Sequence, residues 1–166
     1  MFAYTLLLVV VGFAAAEESP LKKIHVLQPC TTSADVVNVK EFRTSECKAD
    51  PCVVPFWKRV QFEIDFVAER ASDVMHVDVK GRFRYGDPLT ALESFETDAC
   101  NHMAVPCPLV AGKEYTAKSA LQVPWWNIDE KALPLDAEAV LRGRDAGGQL
   151  FCFKVLIRLT SKEAVG

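Results

Sequence analysis

Histidine is scarce in this chain. Only His25, His76 and His102 are present, and they stand far apart. They fall in a loose lead, on an outward strand face and in a cysteine-bounded loop, so no catalytic or metal-ligating role is expected of them. No Gly-x-Ser-x-Gly elbow or His-Glu-x-x-His pair occurs either. An enzyme is therefore not expected, and neither is a cofactor. A charge excess is also missing: 19 basic against 22 acidic residues leave a net charge of −3, which gives a polyanion nothing to hold. Nucleic acid is excluded as a partner. There is no Asn-x-Ser/Thr site for an N-linked sugar. No apolar run is long enough to span a bilayer comfortably, and no window after residue 16 has a helical period. Internal repeats and low-complexity segments are absent too.

What is present begins with residues 1–16, which carry no charge. An apolar run leads to Ala14-Ala15-Ala16 just before Glu17-Glu18, the small-residue pattern that signal peptidase reads. Residues 1–16 are thus expected to be a signal peptide, 17–29 a loose or partly extended lead, 30–160 one domain and 161–166 a tail. The expected location is outside the cell or in the lysosomal lumen. Six cysteines in such a compartment read as three disulfides, with fifteen possible connectivities. Cys47 and Cys52, and Cys100 and Cys107, are close enough to close local loops. Cys30 and Cys152 then remain to tie the ends of the domain together. A metal site is the less favoured use of these thiols.

Alternation of period two dominates the remainder. Val60, Phe62, Ile64 and Phe66 alternate with polar neighbours, as do Met75, Val77, Val79, Phe83 and Tyr85. Tyr115, Ala117, Ser119, Leu121 and Val123 form a third such face, Leu135, Ala137, Ala139 and Leu141 a fourth, and Phe151, Phe153, Val155, Ile157 and Leu159 a fifth. A short strand is expected over residues 34–42, whereas residues 89–99 read equally as strand or loop. Gly147-Gly148 marks a hairpin turn between the last two strands. The expected fold is all-β: an immunoglobulin-like antiparallel sandwich of two sheets with six to eight strands.

Taken in order, Pro51-Cys52, Asp98-Ala99-Cys100, Cys107-Pro108-Leu109, Tyr115, Val123 and Leu150-Phe151-Cys152 resemble the ML lipid-recognition family. That family includes the small soluble sterol carrier of Niemann–Pick type C disease and the group 2 mite allergens. The resemblance runs from about Cys30 to Leu159. It implies a β-sandwich whose sheets part at one end around a lipid, with Cys30–Cys152, Cys47–Cys52 and Cys100–Cys107 paired. The chain departs from the sterol carrier in Trp125-Trp126 beside Pro124 and in one extra residue between Cys100 and Cys107, both at the expected mouth.

Composition alone is compatible with inward faces that simply pack together; the resemblance turns them into the walls of an apolar cavity. The expected ligand-binding residues are Phe62, Ile64, Phe66, Val79, Phe83, Leu92, Phe95, Tyr115, Val123, Trp125, Trp126, Leu141, Phe153 and Val155. Leu92 and Phe95 would form one rim, and a tryptophan the other, half-wet one. Lys113 and Lys118 face either solvent or an anionic head group. The expected function is a monomeric carrier of a sterol, fatty acid or similar lipid, touching membranes or a membrane receptor only transiently. The alternative is a module that presents a lipid to a receptor in innate immunity. Either reading requires that the two sheets fail to close fully.

Overall fold

The structure, a computed structural model, describes residues 21–23, 27–47, 51–83, 90–122, 131 and 133–161, with the backbone alone at residues 33, 83 and 90–96. The expected signal peptide lies outside the described residues, as do Tyr85, Val123, Trp125, Trp126 and most of the tail. Ten strands are described: β1 (Lys22–Lys23), β2 (Gln28–Pro29), β3 (Val39–Thr44), β4 (Cys52–Pro55), β5 (Arg59–Val67), β6 (Met75–Phe83), β7 (Thr90–Asp98), β8 (Glu114–Gln122), β9 (Leu135–Asp145) and β10 (Gly148–Thr160). Eight have four residues or more, and two short ones come from the expected lead.

Two sheets form. One has the order β1-β3-β5-β8; the other runs β2-β10-β9-β6-β7, with β4 also on β10. Every described pairing is antiparallel except β4 on β10. The alternation in β5 sets the pattern: Phe62, Ile64 and Phe66 are buried, while Arg59 and Gln61 are exposed. Residues 22–23 and 28–29 stitch both layers, since Lys22 pairs with Thr44 and Gln28 with Lys154.

Three local readings gain definition. Residues 33–36 form a 3-10 turn, so the expected strand at 34–42 starts only at Val39. Asp35 explains this, because its carboxylate accepts the Thr31 and Thr32 amides at 2.6 and 2.9 Å. Residues 90–98 are a full strand, and the short helix α1 (Ala99–His102) follows. Asp98 caps that helix by accepting the Cys100 amide at 2.9 Å. The disulfides are Cys30–Cys152, Cys47–Cys52 and Cys100–Cys107. The first links residues 122 apart, and a cross-link over so long a loop restricts the unfolded chain most.

The outer face of the four-stranded sheet is laced with charge. Arg43 on β3 donates to Glu63 at 2.8 Å and to Asp65 at 2.6 Å, both on β5, and Lys118 on β8 reaches Glu63 at 2.8 Å. The Lys118 ammonium and Arg43 hold the Glu63 carboxyl below its ordinary range. Burial pushes Asp65 upward, but hydrogen bonds from Arg43 and Thr116 outweigh it and leave that carboxyl lowered too.

Candidate functional site

Registers place the inward side chains in rows across each sheet. Towards the α1 end, Phe66 faces Tyr115 on one layer, and Val77, Gly143 and Phe151 share a row on the other. This end is filled. Six rings form a chain: Phe62 to Phe42 at 6.2 Å, Phe42 to Phe153 at 5.2 Å, Phe153 to Phe151 at 6.0 Å, Phe151 to Phe66 at 5.6 Å and Phe66 to Tyr115 at 5.8 Å. Phe66, Phe151 and Phe153 are wholly inaccessible to solvent. Tyr115 is tied here as well, since its hydroxyl accepts the Val110 amide at 2.7 Å.

Towards the opposite end small residues enter the rows. Gly81, Ala139 and Val155 share one row, and Phe83, Ala137 and Ile157 the next. Short side chains do not reach across the roughly 10 Å between packed sheets. A hollow of about 60 Å³ remains between the layers, lined by Phe42, Phe62, Val60 and Leu121 from one side and Val79, Leu141, Val155 and Ile157 from the other. Ala139, Cys52, Val54 and Thr44 complete its described lining. Thr44 is the sole hydroxyl residue in this set.

A larger recess of about 410 Å³ curls round the same end of the six-stranded sheet. Leu135, Ala137 and Ile157 line it, and so do Arg82, Asp136, Glu138 and Leu156, which face the other way along their strands. Arg82 pairs with Glu138 at 2.9 Å, and Arg158 with Asp136 at 2.7 Å. Size favours the recess as a lipid site, because ligand pockets commonly span about 300–1,000 Å³. Chemistry favours the hollow, which lies between the layers and is apolar apart from Thr44. Ile157 lines both.

Of the residues expected to bind ligand, Phe62, Val79, Leu141 and Val155 come together at the hollow. Ile64, Phe66, Tyr115 and Phe153 are buried in the core, and none is among the hollow's described lining. Phe83, Leu92 and Phe95 lie on β6 and β7, their side chains outside the description. Val123, Trp125 and Trp126 fall outside the described residues altogether. The hollow adds Phe42, Thr44, Cys52, Val54, Val60, Leu121, Ala139 and Ile157. Val60, Leu121, Ala139 and Ile157 share the parity of expected residues on their own strands, a signal present in the sequence. Lys118 meets Glu63, and Lys113 sits 5.5 Å above the Tyr115 ring. Among the described residues, no group of three or more His, Cys, Asp or Glu could hold a metal ion. No described helix is long and apolar enough to cross a membrane.

Fold and hollow together define a two-layer, disulfide-linked β-sandwich whose interior is left open at one end. The sequence model of the ML domain matches residues 25–159, and the chain belongs to this lipid-binding family. Among solved structures, it is similar to a Niemann-Pick type C2 protein from Japanese carpenter ant, with 19% identity and a TM-score of 0.60 over 81% of this chain and 99% of that one. No curated protein matches the chain.

Proposed function

We propose that the protein is a secreted or lumenal, monomeric carrier that takes one lipid, a sterol or fatty acid, between its sheets and transfers it. The observation that carries this reading is the inter-sheet hollow at the end where Gly81, Ala137 and Ala139 occupy inward positions.

The size of the hollow sets the mechanism. A space of about 60 Å³ is far below lipid size, so a lipid must push the layers apart at this end. An unfilled cavity costs about 24 cal/mol per Å³, so holding ~300 Å³ open without a ligand would cost on the order of 7 kcal/mol. That rivals the whole stability of a domain, and it is why layers parted by a lipid close without one. Burying ~400 Å² of lipid returns on the order of 10 kcal/mol at 25 cal/mol per Å². The widening space runs past Ile157 towards the larger recess, where Leu135 and Ala137 extend the apolar wall. Opening draws the hydrocarbon in, and contact with a membrane offers it an equally apolar destination. No step makes or breaks a covalent bond.

Native mass spectrometry of the purified protein before and after lipid extraction tests the reading, together with uptake of radiolabelled cholesterol and oleic acid. Loss of a lipid-sized mass and saturable 1:1 uptake are expected. A constant mass with no uptake of either probe would overturn it.

A further inference from the structure

Thr44 is 3% exposed, and its Oγ1 has no hydrogen-bond partner among the described residues. It lines the inter-sheet hollow, where its described neighbours carry only hydrocarbon or sulfur. A buried hydroxyl without a partner destabilises a fold, whereas valine fills the same space without that deficit. Among the described residues Thr160 Oγ1 and Arg142 Nε find no partner either, but neither residue is among the hollow's described lining.

The place of Thr44 is also informative. It pairs with Phe62, and the next inward residue of β3 is Phe42, whose ring meets Phe62 and Phe153. Beyond Thr44, aromatic rings close the space between the sheets. Thr44 therefore stands one inward residue from the aromatic floor of the hollow, which Phe42 itself lines, and so beside the deeply inserted part of a ligand.

We infer that the Thr44 hydroxyl is the hydrogen-bond partner of a polar atom on the buried part of the ligand. The preferred ligand is then a lipid oxygenated along its chain or ring system, rather than one that is pure hydrocarbon below its head group. This rests on the carrier reading above and narrows it to a ligand class. The hydroxyl both donates and accepts, so a ligand hydroxyl, ketone or ether satisfies it.

The test is equilibrium binding of stearic acid and a series of monohydroxystearic acids with the hydroxyl stepped along the chain. In the wild type, one position is expected to bind about three- to tenfold more tightly than stearic acid. Thr44→Val should abolish that preference, read as the ratio of hydroxylated to plain stearic acid affinity within each protein, without lowering the melting temperature. Thr44→Ser should retain the preference, and Thr44→Ala, which also lacks the hydroxyl, should repeat the loss. If no position is preferred, or the preference survives Thr44→Val, the inference is overturned while the carrier reading stands; a hydroxyl satisfied by water would give that result. If the wild type takes up neither stearic acid nor any hydroxylated form, the carrier reading falls and the inference with it.

Discussion

The two ends of the sandwich share strands, sheets and period-two alternation, yet one is solid and the other hollow. On β9, Gly143 sits at the filled end and Ala139 at the hollow one, four residues apart on the same inward face. Both are small, for opposite reasons. A Cβ at Gly143 would lie 2.5 Å from the Phe151 ring, so the glycine makes room for a large neighbour. Ala139 faces Val155 and Gly81 and leaves its space unfilled. A small residue therefore has no fixed meaning until its cross-strand partners are known.

The largest effect expected is at the filled end. Phe66→Ala removes a wholly buried ring stacked on Tyr115 and tilted against Phe151 and should cost about 3–5 kcal/mol in urea unfolding. Leu121→Ala, half-buried on the wall of the hollow, should cost only about 1–2 kcal/mol. Equal losses would mean that the ends do not differ in packing.

Next come two substitutions in the opposite sense. Gly143→Ala should destabilise by about 1–3 kcal/mol, because Phe151 is fully enclosed and has little room to move. Lipid uptake by the folded fraction should stay unchanged. Ala139→Leu should shift stability by less than about 1.5 kcal/mol while lowering lipid affinity roughly tenfold or more, since it fills the space a ligand would widen. If Ala139→Leu binds lipid normally, the hollow is not the site, and the recess beside Arg82 and Glu138 becomes the place to look.

Much of this contrast was legible in the sequence, and the limits have physical causes. Alternation identified β5, β6, β8, β9 and β10 because apolar residues recur along one face of each. It left β7 undecided because the register with β6 shifts between Asp78 and Lys80, where five residues of β7 span two of β6. An irregularity of that kind destroys the period. The 3-10 turn at Ser33–Val36 was hidden by apolar Val36 and Val37, although Thr32 and Asp35 carried the capping signal. The site was harder to read than the fold. Large inward rings suggested a wall, but rings such as Phe66 and Phe153 pack against one another, and the space opens beside the alanines. Hydrophobicity marks which face is inside; only the summed volumes of facing rows mark where the inside is not full.

The smallest effect expected comes from the outside of β5, whose inner face carries Phe62, Ile64 and Phe66. Glu63 and Asp65 both have carboxyl pKa values lowered from 4.5 and 3.8 by their partners, Lys118 and Arg43 for Glu63 and Arg43 and Thr116 for Asp65, although burial of Asp65 works against this. A carboxylate with a lowered folded pKa stabilises the protein above its unfolded value and loses that contribution as pH falls through the folded one. The network should therefore contribute fully above about pH 5 and fade below about pH 4, by about 1 kcal/mol at most, because both side chains remain partly exposed. Arg43→Ala should flatten the fall in urea midpoint between pH 5 and pH 3 relative to the wild type and leave lipid affinity unchanged. An unaltered slope would show that these pairs add nothing measurable. A changed affinity would show instead that the outer face of β5 governs how the layers part, and so tie the charged surface to the hollow behind it.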